Sequence, residues 1–175
     1  MPTMDDTPAP FPDAVDDWAA LRTSARWEKK LADDLGRVGV PVYLPTVIRL
    51  TTARGGKQTS TQLPLFPGYV FCSAGGFVGN PAVPANLRSK VAQVLRPADP
   101  DPLRRELRAI ADLLTDRRLV QERVVGKPGE TVRVVGGPLT GSVGTVVKLK
   151  PHKYAVVVEV SLIGARLLAE IDEAM

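Results

Sequence analysis

Side chains able to carry out catalysis or to hold a metal are scarce in this sequence. Cys72 is the only cysteine and His152 the only histidine among its 175 residues. A disulfide within the chain and the common zinc sites need more of these residues, so both are excluded by count. No pair of carboxylates, and no nucleophile with a base, suggests a catalytic site. We therefore predict a protein that is not an enzyme and that has no cofactor. Cys72 itself falls in an apolar strand pattern, which favours a buried and inert thiol.

Basic residues are the chemistry that the sequence does supply. Five of its 19 acidic residues lie within the first 17 positions, so the rest of the chain carries 23 basic residues against 14 acidic ones. That balance favours a polyanionic neighbour, either nucleic acid or an acidic protein face. Arg54 and Lys57 flank two glycines at the predicted tip of a hairpin and are candidate phosphate contacts. A solubilising turn is an equally good interpretation of the same residues.

The composition of the first 17 residues differs from that of the rest of the chain. Residues 1–17 are acidic and rich in proline, a composition typical of a disordered tail and unlike a secretory leader. No apolar run approaches the length of a membrane span. We therefore predict a soluble, cytoplasmic protein without a membrane partner.

The spacing of apolar residues predicts the helices and strands of the first half of the chain. A strand is predicted over 18–23, and a helix over 26–38 with Ser24 as its cap and Gly39 as its stop. The helix is expected to bury Trp27, Leu31, Leu35 and Val38 and to leave Glu28 on a solvated face. A hairpin (42–52 and 59–63), a strand (68–72), a loop (73–85), a strand (91–96) and a helix opening at Asp101-Pro102 follow.

The second half consists of short β runs over 131–135, 142–148, 154–160 and 166–171, separated by turns with Gly or Pro. Such a series predicts a small barrel. The predicted fold class is α+β, with a mostly antiparallel sheet flanked by helices over 18–119, a linker over 120–127 and an SH3-like barrel over 128–175.

Two stretches of sequence carry a family resemblance. Residues 63–71 read LPLFPGYVF, and they follow Trp18, the run 28–30 (EKK) and the run 43–45 (YLP). Residues 129–134 read GETVRV, and GPL follows at 137–139 with Gly141 and the run 144–146 (GTV). The first set resembles the NusG N-terminal domain and the second resembles the KOW motif that follows it in the same family. Together they span residues 18–172.

The resemblance implies a transcription elongation or antitermination factor that binds the clamp region of RNA polymerase. Its contact would be an exposed apolar pocket formed by Phe66, Pro67, Tyr69 and Phe71, although core packing of these aromatics is the alternative. Specialised, RfaH-like members of the family touch the non-template DNA strand, and the basic hairpin tip is similar to theirs. Whether the chain is a general factor or an operon-specific one stays open.

The KOW half, by the same resemblance, recruits a second factor such as the ribosome or a termination factor. Leu139, Leu162 and Ile163 occupy the family's partner-binding positions, without the Phe of better-known versions. A ribosomal or other RNA-binding protein is the alternative function, since KOW barrels also occur there.

Overall fold

The computed structural model of the protein describes residues 10–52, 56, 58–115, 129, 131–133, 143–150 and 153–172. The chain divides into two compact units, Met1–Arg96 and Pro97–Met175. The predicted linker over 120–127 lies outside the described residues, and the domain limits given above stay a prediction. Across the described ranges, no helix is long and apolar enough to cross a bilayer.

The first unit is built on an antiparallel sheet with one long hairpin. Its elements in chain order are β1 (Trp18–Thr23), α1 (Glu28–Arg37), β2 (Val42–Tyr43), β3 (Thr46–Thr52), β4 (Gln58–Pro64), β5 (Tyr69–Ser73), α2 (Ala74–Phe77), α3 (Ala85–Arg88) and β6 (Val91–Leu95). The sheet has the order β2-β5-β1-β6, and β3 and β4 form the hairpin. The central strand β1 is buried except at Arg22.

Helix α1 covers one face of the sheet. Leu31 and Leu35 are buried against Leu21, Val70 and Cys72, in agreement with the predicted apolar stripe. The helix stops as predicted, with Gly39 at φ +79°, the left-handed conformation that glycine adopts without steric cost.

The start of α1 differs from the prediction. The helix begins at Glu28, and Trp27 is its N-cap with no side-chain cap, while Ser24 contributes only its carbonyl oxygen, which accepts from the Trp27 amide at 3.1 Å. Trp27 is exposed and Glu28 is buried, the reverse of the expectation. The reason is that Arg26 has φ +74°, so the regular turn starts after it and Trp27 lies outside the apolar stripe.

The opposite face of the sheet holds an aromatic cluster. Trp18, Tyr43 and Phe71 are buried there. The Phe11 ring stacks on Trp18 with centroids 5.2 Å apart and meets Tyr43 edge-on at 5.1 Å. The ordered packing therefore begins within the stretch whose composition predicts a disordered tail, because a single phenylalanine there reaches the core.

Helix α2 lies inside the loop predicted over 73–85, and a second short helix, α3, begins at the last residue of that loop. Four residues each are too few to leave an apolar period in the sequence. The Arg88 guanidinium orders the segment between them by donating to the carbonyl oxygens of Phe77 (3.1 Å), Asn80 (2.6 Å) and Val83 (3.2 Å). It also lies 5.5 Å from the centroid of the Phe77 ring. One side chain thus fixes the path of the connection from β5 to β6.

In its described residues, the second unit combines one α-helix with a β-meander. Its elements are α4 (Pro100–Thr115), β7 (Thr131–Arg133), β8 (Val143–Lys150), β9 (Lys153–Val160), a 3-10 turn (Ser161–Ile163) and β10 (Ala165–Asp172). The strands have the order β10-β9-β8-β7, each antiparallel to its neighbour. The α+β class predicted from the sequence is confirmed.

Helix α4 buries Leu103, Leu107 and Ile110, and Leu114 at the next helical spacing is half-buried. The start of this helix differs from the predicted opening at Asp101-Pro102. The helix begins at Pro100, and the Asp99 carboxylate accepts from the Asp101 amide at 3.0 Å. The sequence repeats the Asp-Pro signature two residues apart, and the earlier copy is the one that is used.

Cys72 provides a test of the packing of the first unit. It is fully buried, and burial, with a smaller contribution from Asp17, raises the pKa of the thiol to about 12. We expect negligible alkylation by iodoacetamide at about pH 8.5, the ordinary thiol pKa, and rapid alkylation after unfolding in guanidinium. The folded pKa lies above the unfolded one, so this thiol stabilises the fold below about pH 9 and the stabilisation declines above it. Fast alkylation of the native protein would contradict the buried position.

Candidate functional site

The segment between β4 and β5 forms a tight turn at the surface of the first unit. The Tyr69 amide donates to the Phe66 carbonyl oxygen at 3.1 Å, which closes a four-residue turn with Pro67 and Gly68 in the middle. Gly68 has φ +85°, the value that a type II turn requires at its third position. Pro67 occupies the second position, where type II turns favour proline. The sequence Phe-Pro-Gly-Tyr therefore encodes its own geometry, and we call residues 66–69 the FPGY turn.

Both peptide groups of Gly68 are held by other elements. Its amide donates to Glu28 Oε1 at 2.7 Å, and its carbonyl oxygen accepts from the Thr23 amide at 2.8 Å. Glu28 is only 2 % exposed. A hydrogen bond to a carboxylate is stronger than one between neutral groups, so this contact ties the turn firmly to the start of α1.

The four residues predicted to bind the polymerase divide into two pairs. Phe66 is 6 % exposed and Phe71 is 0 % exposed, with their rings edge to face at 6.1 Å between centroids. Pro67 is exposed and Tyr69 is half-buried. The expectation of an exposed pocket lined by all four is thus corrected, because Phe66 folds back under the turn and Phe71 points into the sheet core.

The segments that lead into the FPGY turn carry half-buried leucines. Leu63 and Leu65 are half-buried, as is Leu44, and the Leu65 amide donates to the Pro45 carbonyl oxygen at 2.8 Å. The base of the β3-β4 hairpin and the FPGY turn are therefore held as one frame. Pro67 and Tyr69 lie on this frame, and accessible side chains of this kind suit the binding of an apolar partner surface.

Glu28 is a site residue that the sequence interpretation placed wrongly. It lies three residues before Leu31 and seven before Leu35, so it falls on the buried stripe by spacing. Its charge suggested a solvated face instead. An acidic residue at a stripe position, upstream of a Pro-Gly turn, is the signal that could have revealed it.

The remaining predicted site residues are only partly described. Arg54, Lys57 and Leu139 lie outside the described residues. Leu162 and Ile163 are half-buried on the 3-10 turn of the second unit, which ends at Gly164 with φ +60°. Ser161 begins this turn and is held by α4, because its hydroxyl donates to Glu106 Oε1 at 2.8 Å and its amide to Oε2 at 3.3 Å.

Comparison with known families gives this frame its context. The family model described as "Transcription termination factor nusG" matches residues 16–96, and the KOW motif model matches residues 128–159. The chain belongs to the NusG family. The NusG match covers the sheet, α1 and the FPGY turn of the first unit, and the KOW match covers β7 to β9 of the second. The predicted family is confirmed, and NusG proteins are a family of transcription termination and antitermination factors, not of enzymes.

Individual proteins and solved structures are also similar to this chain. The Transcription termination/antitermination protein NusG of Thermus thermophilus is 28% identical over 177 residues, which cover 89% of this chain and 95% of that protein. Among solved structures, "Domain interaction in Thermotoga maritima NusG" has a TM-score of 0.48 at 18% identity, covering 87% of this chain and 92% of that one. "Crystal Structure of MjSpt4:Spt5 complex conformation B" has a TM-score of 0.28 at 15% identity, covering 90% and 99%.

Gly68→Ala tests whether the turn geometry is required. At φ +85° an alanine costs about 1–2 kcal/mol, and its Cβ would also meet the Thr23 carbonyl oxygen at 3.4 Å. We expect a loss of this size in the free energy of unfolding, measured with urea. Gly36→Ala is the matched control: Gly36 lies inside α1 with open space at its Cβ position, so this variant should gain about 0.5–1 kcal/mol. Equal effects of the two substitutions would contradict the assigned conformation.

Glu28→Ala tests the anchor of the turn. It leaves the Gly68 amide without its acceptor, which we expect to cost about 1–3 kcal/mol of unfolding free energy. Glu28→Gln keeps an oxygen acceptor in place and should recover most of that loss. A Gln variant as unstable as the Ala variant would show that the hydrogen bond to Gly68 is not what the carboxylate contributes.

Proposed function

We propose that this protein binds RNA polymerase through the exposed side of its FPGY turn and acts as a transcription elongation or antitermination factor. The observation that carries the proposal is the fixed turn, which presents Pro67 and Tyr69 at the surface of the unit matched by the NusG family model. Phe66 and Phe71 support the turn from below and are not the contact surface.

The rigidity of the turn favours tight binding. Binding normally loses affinity to the ordering of loops and side chains, and a turn held at both peptide groups of Gly68 is ordered beforehand. Tyrosine is among the residues that most often dominate interface energies. Leu63 and Leu65, just before the turn in sequence, are half-buried and keep some apolar surface accessible.

Binding of this kind can alter transcription without any catalysis. A factor that binds one state of the polymerase clamp better than another shifts the population toward that state. A preference of about 1.4 kcal/mol already changes the ratio tenfold. We propose that the first unit favours the closed clamp and thereby reduces pausing or termination.

The second unit would then recruit another factor. Leu162 and Ile163 remain half-exposed on the 3-10 turn, and with Leu139 they are the proposed contact for the ribosome or a termination factor. The name of the Thermus relative covers both termination and antitermination. In this proposal the sign of the effect depends on which partner the KOW unit holds. Arg54 and Lys57 stay proposed contacts to the non-template DNA strand, on either side of a described Gly56 with φ +80°.

Tyr69→Ala is the direct test of polymerase binding. Loss of an aromatic anchor of this type costs about 2 kcal/mol or more, so we expect the Kd for core RNA polymerase to rise about 30-fold. Biolayer interferometry with immobilised polymerase gives the Kd. The thermal unfolding midpoint should stay near that of the parent protein, because Tyr69 is half-exposed.

Tyr69→Phe is the matched control, since it keeps the ring and removes only the hydroxyl group. It should bind polymerase nearly as well as the parent protein. An unchanged Kd for the folded Tyr69→Ala variant would refute the assigned surface. Co-sedimentation with ribosomes, together with no affinity for polymerase, would instead support the ribosomal or RNA-binding alternative.

A further inference from the structure

Phe11 covers the aromatic cluster of the first unit from outside. Its ring stacks on the Trp18 indole with centroids 5.2 Å apart and meets the Tyr43 ring edge-on at 5.1 Å. Trp18 is 1 % exposed and Tyr43 is 2 % exposed, whereas Phe11 itself is half-buried. Phe11 is therefore the outer layer of the cluster, and its ring helps to shield two aromatic side chains of the sheet from water.

The segment that carries this ring is fixed to the sheet at Asp17. The Asp17 carboxylate accepts from the Ser73 hydroxyl at 2.8 Å and from the Gly75 amide, which attaches the chain to the start of α2. We call residues 11–16 the N-terminal strap. Beyond the anchor, the strap packs on the first unit through its aromatic ring and through the buried Val15 side chain. It is thus a short segment with a firm attachment at one end.

The Phe11 ring covers Trp18 without satisfying its one polar atom. Trp18 Nε1 is buried and has no hydrogen-bond acceptor in the part of the chain that the structure describes. An indole N–H usually finds an acceptor when it is buried, and a phenyl ring has no oxygen or nitrogen to offer. Because a buried donor without an acceptor is unfavourable, a cover that supplied an oxygen atom there would fit Trp18 better than the strap does.

The covered rings continue the surface of the FPGY turn. Tyr43 pairs with Phe71 between β2 and β5, and the Phe71 ring packs edge to face against Phe66 at the base of the turn. Tyr69 lies two residues before Phe71 on the same face of β5, roughly 7 Å away, because side chains alternate along a strand. A partner that contacts Tyr69 is therefore close to the place that the Phe11 ring occupies.

We infer that the N-terminal strap is an autoinhibitory cover over part of the polymerase-binding surface. While the strap is closed, the accessible contact is limited to the FPGY turn. When it opens, an apolar side chain of the polymerase takes the place of the Phe11 ring, and a neighbouring oxygen atom accepts from the Trp18 indole. A protein that must open first binds with a Kd raised by the inverse of its open fraction. The inference rests on the proposed binding of polymerase through Tyr69.

Phe11→Ala tests the cover directly. The variant removes two aromatic contacts from the closed strap and leaves the anchor at Asp17 in place, so the Kd for core RNA polymerase should fall about fivefold or more. Phe11→Tyr is the matched control, because it keeps the ring and should bind with the Kd of the parent protein. An unchanged or higher Kd for folded Phe11→Ala would overturn the inference, and so would loss of the folded state, which would make the ring a core residue.

Tryptophan fluorescence reports on the strap without polymerase. The chain has two tryptophans, so the Trp27→Phe variant retains the buried Trp18 as its single emitter. We expect weak quenching of this emission by acrylamide. Adding Phe11→Ala should make the quenching several-fold stronger, because the face of the indole loses its cover, while the far-UV circular dichroism stays the same. Equal quenching of the two folded variants would show that the Phe11 ring does not shield Trp18, and the inference would be wrong.

Tyr69→Ala distinguishes failure of this inference from failure of the proposed function. Added to Phe11→Ala, it should still raise the Kd for polymerase about 30-fold, because the Tyr69 ring is contacted whether the strap is open or closed. Binding that responds to Tyr69→Ala but not to Phe11→Ala would exclude the autoinhibitory cover and leave the proposed function intact. No binding of polymerase by the parent protein or by either variant would exclude both.

Discussion

The hydrogen bond between the Gly68 amide and the Glu28 carboxylate is the contact on which the surface of the first unit depends. A carboxylate that is nearly closed off from water loses hydration, and a charge-assisted hydrogen bond offsets part of that cost. The contact draws the start of α1 onto the FPGY turn. Successive residues of a helix point about 100° apart, so the inward direction of Glu28 leaves Trp27, the residue before it, facing out. The exposure of the indole therefore depends on this hydrogen bond as well as on the backbone angle at Arg26.

Thr23 connects the FPGY turn to the segment that leads into β6. Its amide donates to the Gly68 carbonyl oxygen, and its hydroxyl donates to the Lys90 carbonyl oxygen. It is buried at the end of β1, where both bonds are sheltered from competing water. Segments that are distant in sequence therefore meet at one threonine. The FPGY turn and the residue that precedes β6 thus share one support.

The sequence predicted the elements that rest on an apolar pattern of several residues. It did not predict the features of the fold that depend on a single residue. The apolar stripe of α1, the hairpin, the strands of the second unit and the stop at Gly39 could all be predicted, since each rests on several residues or on a glycine with a defined role. The inversion of Trp27 and Glu28 could not, because it follows from one backbone angle at Arg26 and one long-range hydrogen bond. Likewise, FPGY could be identified as a turn, but the inward fold of Phe66 depends on the tertiary contact with Phe71.

Arg88 has a consequence for how this protein can change over time. Its guanidinium group binds three main-chain oxygens and no side chain of the segment that it orders, apart from the face of the Phe77 ring. Carbonyl groups are common to all amino acids, so the amino acids at positions 78, 81 and 82 can be exchanged without disturbing these three bonds, whereas Gly79, with φ +72°, is held to glycine by its backbone. A lysine could not replace the arginine, since a compact ammonium group lacks the planar fork that reaches several oxygens at once. The backbone path from β5 to β6 can therefore stay the same while the exposed side chains along it change, which allows new surfaces to evolve there.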